Sequence, residues 1–156
     1  MTIHFLRHAE AEPIQVSDAE RALTPKGLDQ ADKVAKFCQR AGLVPQLLIT
    51  SPFVRARQTA EIVARKLGNV DLVVEPFLGC GMAAETFIEE IAAYKGFTTV
   101  MVVGHEPDFS DTIAVLLGLG TPESLKIRKA SLTAIQLFDL RAGAGRLEFC
   151  IPARLM

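Results

Sequence analysis

Three short stretches of this chain carry side chains able to handle an anion: Arg7-His8, Ser51 to Arg55, and Gly104-His105-Glu106. A guanidinium is a permanent cation with a planar donor fork, and an imidazole serves as nucleophile, acid or base near neutral pH. Each stretch follows an apolar run: Ile3-His4-Phe5-Leu6, Leu47-Leu48-Ile49-Thr50 and Phe97 to Val103. Such runs read as buried strands. If the strands are parallel, all three polar stretches lie on one rim of the sheet, in the crevice where open α/β folds bind ligands. Two arginines and two imidazoles meeting there make an oxyanion pocket. Phosphate suits it better than a carboxylate, because paired guanidinium forks match tetrahedral oxygens.

The intervening segments must supply that parallel arrangement. Pro13 to Leu23 is polar and mixed and reads as a loop. Thr24 caps a helix with Pro25 in its first position; Leu28, Ala31, Ala35 and Cys38 recur at helical spacing, and Gly42 ends it. The spacing predicts a second helix opened by Ser51-Pro52 and stopped at Gly68, with Arg55 in its first turn. A third strand over 70–74, a loop over 75–82, a helix over 83–94, and a helix from about Pro107 to Leu117 complete the alternation. The helix starts at Ser51 and Pro107 are expected to aim free N–H groups at the crevice. Beyond Gly120 the rhythm changes: 130–140, a turn over 141–145, and 146–151 with Leu147, Phe149 and Ile151 alternating against Arg146, Glu148 and Cys150 read as an antiparallel hairpin. The expected fold is a three-layer α/β/α domain over 1–156, with a mostly parallel central sheet and a C-terminal antiparallel hairpin.

Composition narrows the function classes. At 156 residues and 49% hydrophobic content the chain suits one domain with one sizeable core. A formal charge of −1 without a basic block or acidic tail argues against nucleic-acid or membrane partners, so anion recognition must be local. The three cysteines, Cys38, Cys80 and Cys150, are widely spaced, which disfavours a disulfide framework or zinc site. No signal segment or membrane span is apparent, and a cytoplasmic location is expected. Cys80 has no basic neighbour in the sequence and reads as unreactive. His4 faces opposite to Phe5 and reads as structural, and Arg57 as a helix-surface residue.

Four segments in register carry a resemblance: Leu6-Arg7-His8-Ala9-Glu10, Leu23-Thr24-Pro25-Lys26-Gly27, Ser51-Pro52-Phe53-Val54-Arg55-Ala56-Arg57-Gln58-Thr59-Ala60, and Val102-Val103-Gly104-His105-Glu106-Pro107. The chain resembles the histidine phosphatase superfamily, and within it the SixA-like phosphohistidine phosphatases. The resemblance implies that His8 is the nucleophile, that Arg7, Arg55 and His105 hold the phosphoryl group, and that Arg21 is a further phosphate or substrate contact. It implies no cofactor and no metal. Ala9 stands where the family's Arg-His-Gly motif has glycine, a change that touches neither nucleophile nor charge.

The leaving group decides the substrate. An alkyl phosphate expels a basic alkoxide and needs a general acid; Glu75, Glu85 and Glu106 are the candidates, and none matches the family's acid in context. Phosphohistidine expels an imidazole with an ordinary pKa near about 6.5, which leaves readily. The expected activity is therefore hydrolysis of protein phosphohistidine through phospho-His8, with a phosphohistidine-bearing signalling or phosphotransfer protein, or a small phosphorylated substrate, as partner. Charge in the transition state would be met by Arg7, Arg55 and a protonated His105. The alternatives are a small-molecule phosphatase of the same superfamily and a non-catalytic phosphate- or phosphoprotein-binding module. A metallohydrolase built on His8, Glu10, His105 and Asp108 would set arginines beside its cation and is disfavoured.

Overall fold

The computed structural model describes residues 1–13 and 17–156. Among the described residues, strands and α-helices alternate through α4 and two strands then follow: β1 Thr2–Arg7, α1 Pro25–Ala41, β2 Leu47–Thr50, α2 Val54–Lys66, β3 Leu72–Val74, α3 Ala84–Ile91, β4 Thr99–Gly104, α4 Asp108–Leu117, β5 Leu132–Leu137 and β6 Gly145–Ile151. They form one sheet in the order β3-β2-β4-β1-β5-β6. The first four neighbours run parallel, β5 is antiparallel to β1, and β6 is antiparallel to β5. The architecture is the expected one.

The period-2 pattern of the strands builds two cores. Ile3, Phe5, Ile49 and Val102 pack on one face against Phe87, Ile91, Phe109 and Ile113 of α3 and α4. Leu6, Leu48, Met101 and Val103 pack on the other against Val34, Ala35, Ala60 and Val63 of α1 and α2. The inner strands β1, β2 and β4 are therefore covered on both faces, as parallel strands require, while the edge strand β3 is only partly buried and Val74 is exposed.

Local chemistry sets the helix ends. Thr24 Oγ1 accepts from the Gly27 N–H at 3.0 Å, Pro25 occupies the first turn, and Gly42 closes α1 at φ 66°. Gly27 is required by close approach: a Cβ there would lie 2.0 Å from the Glu10 carbonyl oxygen. That contact seats α1 against the segment just after β1.

Several details differ from the sequence reading. Helix α2 begins at Val54, with Phe53 as its uncapped N-cap residue, while the Ser51 hydroxyl accepts from the Phe53 N–H at 3.3 Å and meets His105 Nε2 at 2.7 Å. The third strand is confined to Leu72–Val74, since Asn69 takes a left-handed φ of 60° and the Val70 N–H returns to Ala64 O at 3.2 Å. The predicted helix over 83–94 is α-helical only to Ile91 and finishes as a 3-10 turn over Ala92–Tyr94. In the hairpin a register irregularity at Ala134/Ile135 disturbs the alternation, and Leu147 is 42% exposed on the edge strand while Phe149 packs on the α1/α2 side. Among the described residues no helix is long and apolar enough to cross a membrane.

Candidate active site

The register of the parallel strands creates the site. Arg7 pairs with Gly104 across β1 and β4, and Thr50 with Val103 across β2 and β4. The next residue on each strand, His8, His105 and Ser51, therefore emerges on one rim. Backbone bonds fix this one step beyond the ladder: His8 N–H donates to Gly104 O at 3.0 Å and Ser51 N–H to Val103 O at 3.0 Å. Arg55 enters from the first turn of α2 and is buried. Gly104 keeps β4 close to α4, because a Cβ there would meet the Phe109 ring at 2.7 Å.

His8 is held in one protonation pattern. Its Nδ1 lies 2.7 Å from the carbonyl oxygen of Ala9, which can only accept, so Nδ1 carries the proton. Arg55 Nε donates to His8 Nε2 at 3.2 Å, so that nitrogen presents its lone pair. Burial pushes the ring down to about 3, helped by His105, Arg55 and Arg7 and opposed by the bond to Ala9. His8 is neutral at physiological pH. The Ala9 methyl is fully buried in the α1/α2 core, and the Ala9 N–H donates to Thr59 Oγ1 at 3.1 Å, while that hydroxyl donates to Arg55 O at 2.7 Å. The departure from glycine is thus absorbed by packing.

The second imidazole faces the first, with ring centroids 5.2 Å apart. Its Nδ1 lies 3.4 Å from Arg55 Nη2 and its Nε2 lies 2.7 Å from Ser51 Oγ. A guanidinium can only donate, so Nδ1 accepts and Nε2–H donates to the serine. Burial first, then Arg55 and Arg7, push His105 down to about 4, with Asp18 opposing. The ring is therefore neutral in the free site, and the protonated His105 expected in the transition state requires a proton taken up with the anion. Phe53 lies edge-on to His105 at 5.0 Å and under the Arg55 guanidinium at 4.9 Å, bracing both.

Arg55 is shared by several groups. Its Nη1 donates to Asp18 O at 2.5 Å, and its Nη2 meets Asp18 Oδ2 at 2.9 Å and Cys80 Sγ at 3.4 Å. Asp18 thus places a carboxylate where an oxyanion of substrate would bind Arg55. Arg21 lies one step behind: its Nη1 donates to Asp18 Oδ1 at 2.8 Å and its Nε to Glu12 O at 2.5 Å. Arg7 directs Nη1 to Ile127 O at 2.8 Å, and its buried Nε has no partner among the described residues. The structure brings His8, Arg55 and His105 into contact, sets Arg7 near enough to lower both imidazoles, and reaches Arg21 only through Asp18.

Ser51, Asp18 and Cys80 join the site from outside the sequence prediction. Ser51 has the polar-after-strand position of His8 and His105, the one signal that could have marked it, but Ser-Pro reads as a helix cap. Asp18 and Cys80 carry no local signal. Cys80 does have a basic neighbour in space, which corrects the sequence reading, although burial still holds its thiol above the ordinary value. The helix-start N–H groups expected in the crevice are partly taken: Val54 donates to Ala19 O at 2.9 Å and Ser110 to Glu106 Oε1 at 3.2 Å. The guanidinium and imidazole groups are the side-chain donors and acceptors gathered at this rim.

The three glutamates expected as acids are engaged elsewhere or exposed. Glu75 bonds Tyr94 Oη, Glu85 is exposed in the first turn of α3, and Glu106 accepts from the Ser110 N–H and hydroxyl. Glu10 pairs with Lys26 at 2.9 Å instead of joining the histidines. Among the described residues no three His, Cys, Asp or Glu side chains gather as a metal-binding group.

Comparison with known proteins identifies the family and the fold. The family model described as histidine phosphatase superfamily (branch 1) matches residues 3–79. A phosphohistidine phosphatase SixA homolog of Haemophilus influenzae is 31% identical over 134 residues, covering 80% of this chain and 82% of that protein. The solved structure of the protein histidine phosphatase SixA complexed with tungstate superposes with a TM-score of 0.89 at 24% identity, over 99% of both chains. The alpha-ribazole phosphatase of Shigella flexneri shares the fold at a TM-score of 0.76 and 19% identity, over 94% of this chain and 95% of that one. From motif order, strand-end geometry and these likenesses, the chain belongs to the histidine phosphatase superfamily, in its SixA-like branch.

Proposed function

We propose that this chain removes phosphate from protein phosphohistidine, with His8 as nucleophile and no metal. The observation that carries the reading is the tautomer of His8, with Nδ1–H committed to Ala9 O and the Nε2 lone pair facing the guanidinium of Arg55. A phosphoryl oxygen takes over the Arg55 Nε–H, freeing Nε2 to attack phosphorus in line. The Nε2–P bond forms as the substrate's P–N bond breaks; the substrate ring, protonated on its other nitrogen, leaves as neutral imidazole. Arg7 and Arg55 balance the charge spread over the equatorial oxygens, and His105 contributes a donor once Nδ1 is protonated. Water then attacks phosphorus, the P–Nε2 bond breaks, and inorganic phosphate departs with His8 neutral again.

Of the three glutamates expected as acids, Glu75 is bonded to Tyr94, Glu106 to Ser110, and Glu85 is exposed on α3, which supports a substrate that needs no strong acid. A small-molecule phosphomonoester is the second reading, favoured by Glu106: burial raises its carboxyl above the ordinary range and it lies within electrostatic reach of Arg7. To act as an acid it would have to leave Ser110.

Phosphate release in excess chelator, from a phosphohistidine protein and from alkyl and sugar phosphates, tests the choice. Release from phosphohistidine alone, abolished in His8→Ala, is expected. Comparable rates on alkyl phosphates would move the assignment to the small-molecule reading. No release from any substrate, with phosphate still bound, would leave a non-catalytic binding module.

A further inference from the structure

Arg7 lines a second hollow of about 450 Å³ together with Lys26, Arg128, Lys129 and Arg154, and with Glu10 as its one carboxylate. Five cations against one anion give this hollow a formal +4, on a chain whose total is −1. Glu10 is already matched to Lys26. Arg128, Lys129 and Arg154 form no ion pair among the described residues. An uncompensated cluster on an otherwise balanced surface is unfavourable to the isolated molecule, because like charges repel.

The hollow is also built into the catalytic strand end. Arg7 Nη1 donates to Ile127 O, and the Ala130 N–H is shared between Arg7 O at 3.1 Å and His8 O at 3.2 Å. Arg128 N–H donates to Ser131 Oγ at 2.9 Å, and Ser131 N–H returns to Arg128 O at 2.9 Å. Ala130 is fully buried at φ 55°, a left-handed conformation that a non-glycine residue keeps only where its surroundings impose it. The turn carrying Arg128 and Lys129 is thus bonded to the backbone of Arg7 and His8 themselves.

Resting on the phosphohistidine reading above, we infer that this hollow docks an acidic face of the phosphoprotein while its phosphohistidine enters the His8 pocket. A site for a small second anion would set its donors in buried, convergent positions. Here Lys26, Arg128 and Arg154 are exposed around the hollow, and the cations come from four separate segments. Exposed cations of this kind steer and register a macromolecular partner, and their effect weakens with salt.

The test uses a fluorescent decaglutamate peptide and the full chain, comparing wild type with Arg128→Ala/Lys129→Ala/Arg154→Ala. Peptide affinity at low salt should fall about tenfold in the triple variant and weaken with salt in the wild type, while sulfate binding in the His8 pocket changes less than about twofold. On a phosphohistidine protein with an acidic face, kcat/KM should also fall about tenfold, with free phosphohistidine unaffected. Equal peptide affinity in both proteins overturns the docking surface. So does a variant effect confined to inorganic tripolyphosphate, which would mark a small-anion subsite. If wild type releases no phosphate from either phosphohistidine substrate but peptide binding still depends on the three cations, the reaction assignment fails and the docking surface stands.

Discussion

At the residue scale the chemistry turns on two imidazoles kept neutral for different ends. As the proposed nucleophile His8 must offer a lone pair, and its bond to Ala9 O secures one. In its proposed role His105 must donate to an anion, yet its Nδ1 accepts from Arg55 in the free site. Oxyanion binding should therefore be linked to proton uptake. A bound dianion raises the His105 pKa from about 4, so between the free and bound values the complex holds more protons than the free chain, and affinity rises as pH falls. Sulfate, a dianion throughout this range, should bind more tightly at pH about 5 than at about 7.5, by up to about tenfold per pH unit for one linked proton. Calorimetric titration of wild type and His105→Gln tests this; equal pH slopes in the two proteins would remove His105 from the linkage. Ser51 fixes the orientation of the His105 ring through one buried hydrogen bond of 2.7 Å. Loss of a bond in the usual range of about 1–1.5 kcal/mol predicts that Ser51→Ala lowers kcat/KM by about tenfold. A positioning role further predicts that the pH slope of sulfate binding shifts in this variant, which a purely structural serine would not produce. Asp18 is different: its carboxylate occupies Arg55, so Asp18→Asn should strengthen sulfate binding, and weaker binding would mean that the carboxylate serves to aim the guanidinium.

At the element scale, the strands were legible and the loop contacts were not. β1, β2 and β4 announce themselves as short apolar runs ending in polar residues, and parallel register alone then sets His8, Ser51 and His105 side by side. The α1 start was equally plain, from Thr24 and Pro25. The Ser51-Pro52 pair reads as a helix cap, whereas the hydroxyl serves both the Phe53 N–H and His105 and α2 opens three residues later. Asp18 and Cys80 meet Arg55 from 37 and 25 residues away in the chain, approaches that depend on how two loops fold over the rim. Strand exposure on β6 depends on a register irregularity that composition does not encode. The contact between α1 and the post-β1 segment gives the prediction that belongs to this scale. A Cβ at residue 27 would press into a backbone carbonyl, which cannot swing aside as a side chain can. Gly27→Ala should cost about 1–3 kcal/mol, the range for overpacking, seen as a lower denaturation midpoint with an unchanged m-value. The same shift displaces Glu10, two residues after His8, so activity should fall with stability. Full activity at reduced stability would show that the site is insulated from α1.

At the scale of the whole molecule, an active site of buried neutral histidines makes folding sensitive to mild acid. His8, His105 and the structural His4, which burial also lowers, are protonated more readily in the unfolded chain than in the folded one. From the unfolded value of about 6.5 down to about 4 for His105 and about 3 for His8, the unfolded state binds more protons, and stability falls as pH falls. The limiting slope is about 1.4 kcal/mol per pH unit for each such histidine. Glu106 and Asp108 act in the opposite sense, since burial raises their carboxyls and protonation then favours the folded state. The lowered carboxyls Glu10, Asp18 and Asp32 lose their stabilising effect only at lower pH, as they protonate below the ordinary carboxylate range. The histidines should consequently dominate between pH about 6.5 and 5. Urea midpoints should drop across that interval in wild type, and His8→Gln/His105→Gln should flatten the drop even if it lowers the midpoint at pH 7. A phosphate or sulfate ligand should resist the same drop, because the anion supplies the negative charge that the protonated rings lack. A wild-type midpoint that holds constant from pH 6.5 to 5, or a double variant with an undiminished slope, would mean that water reaches these rings and that the neutral nucleophile is not set by burial.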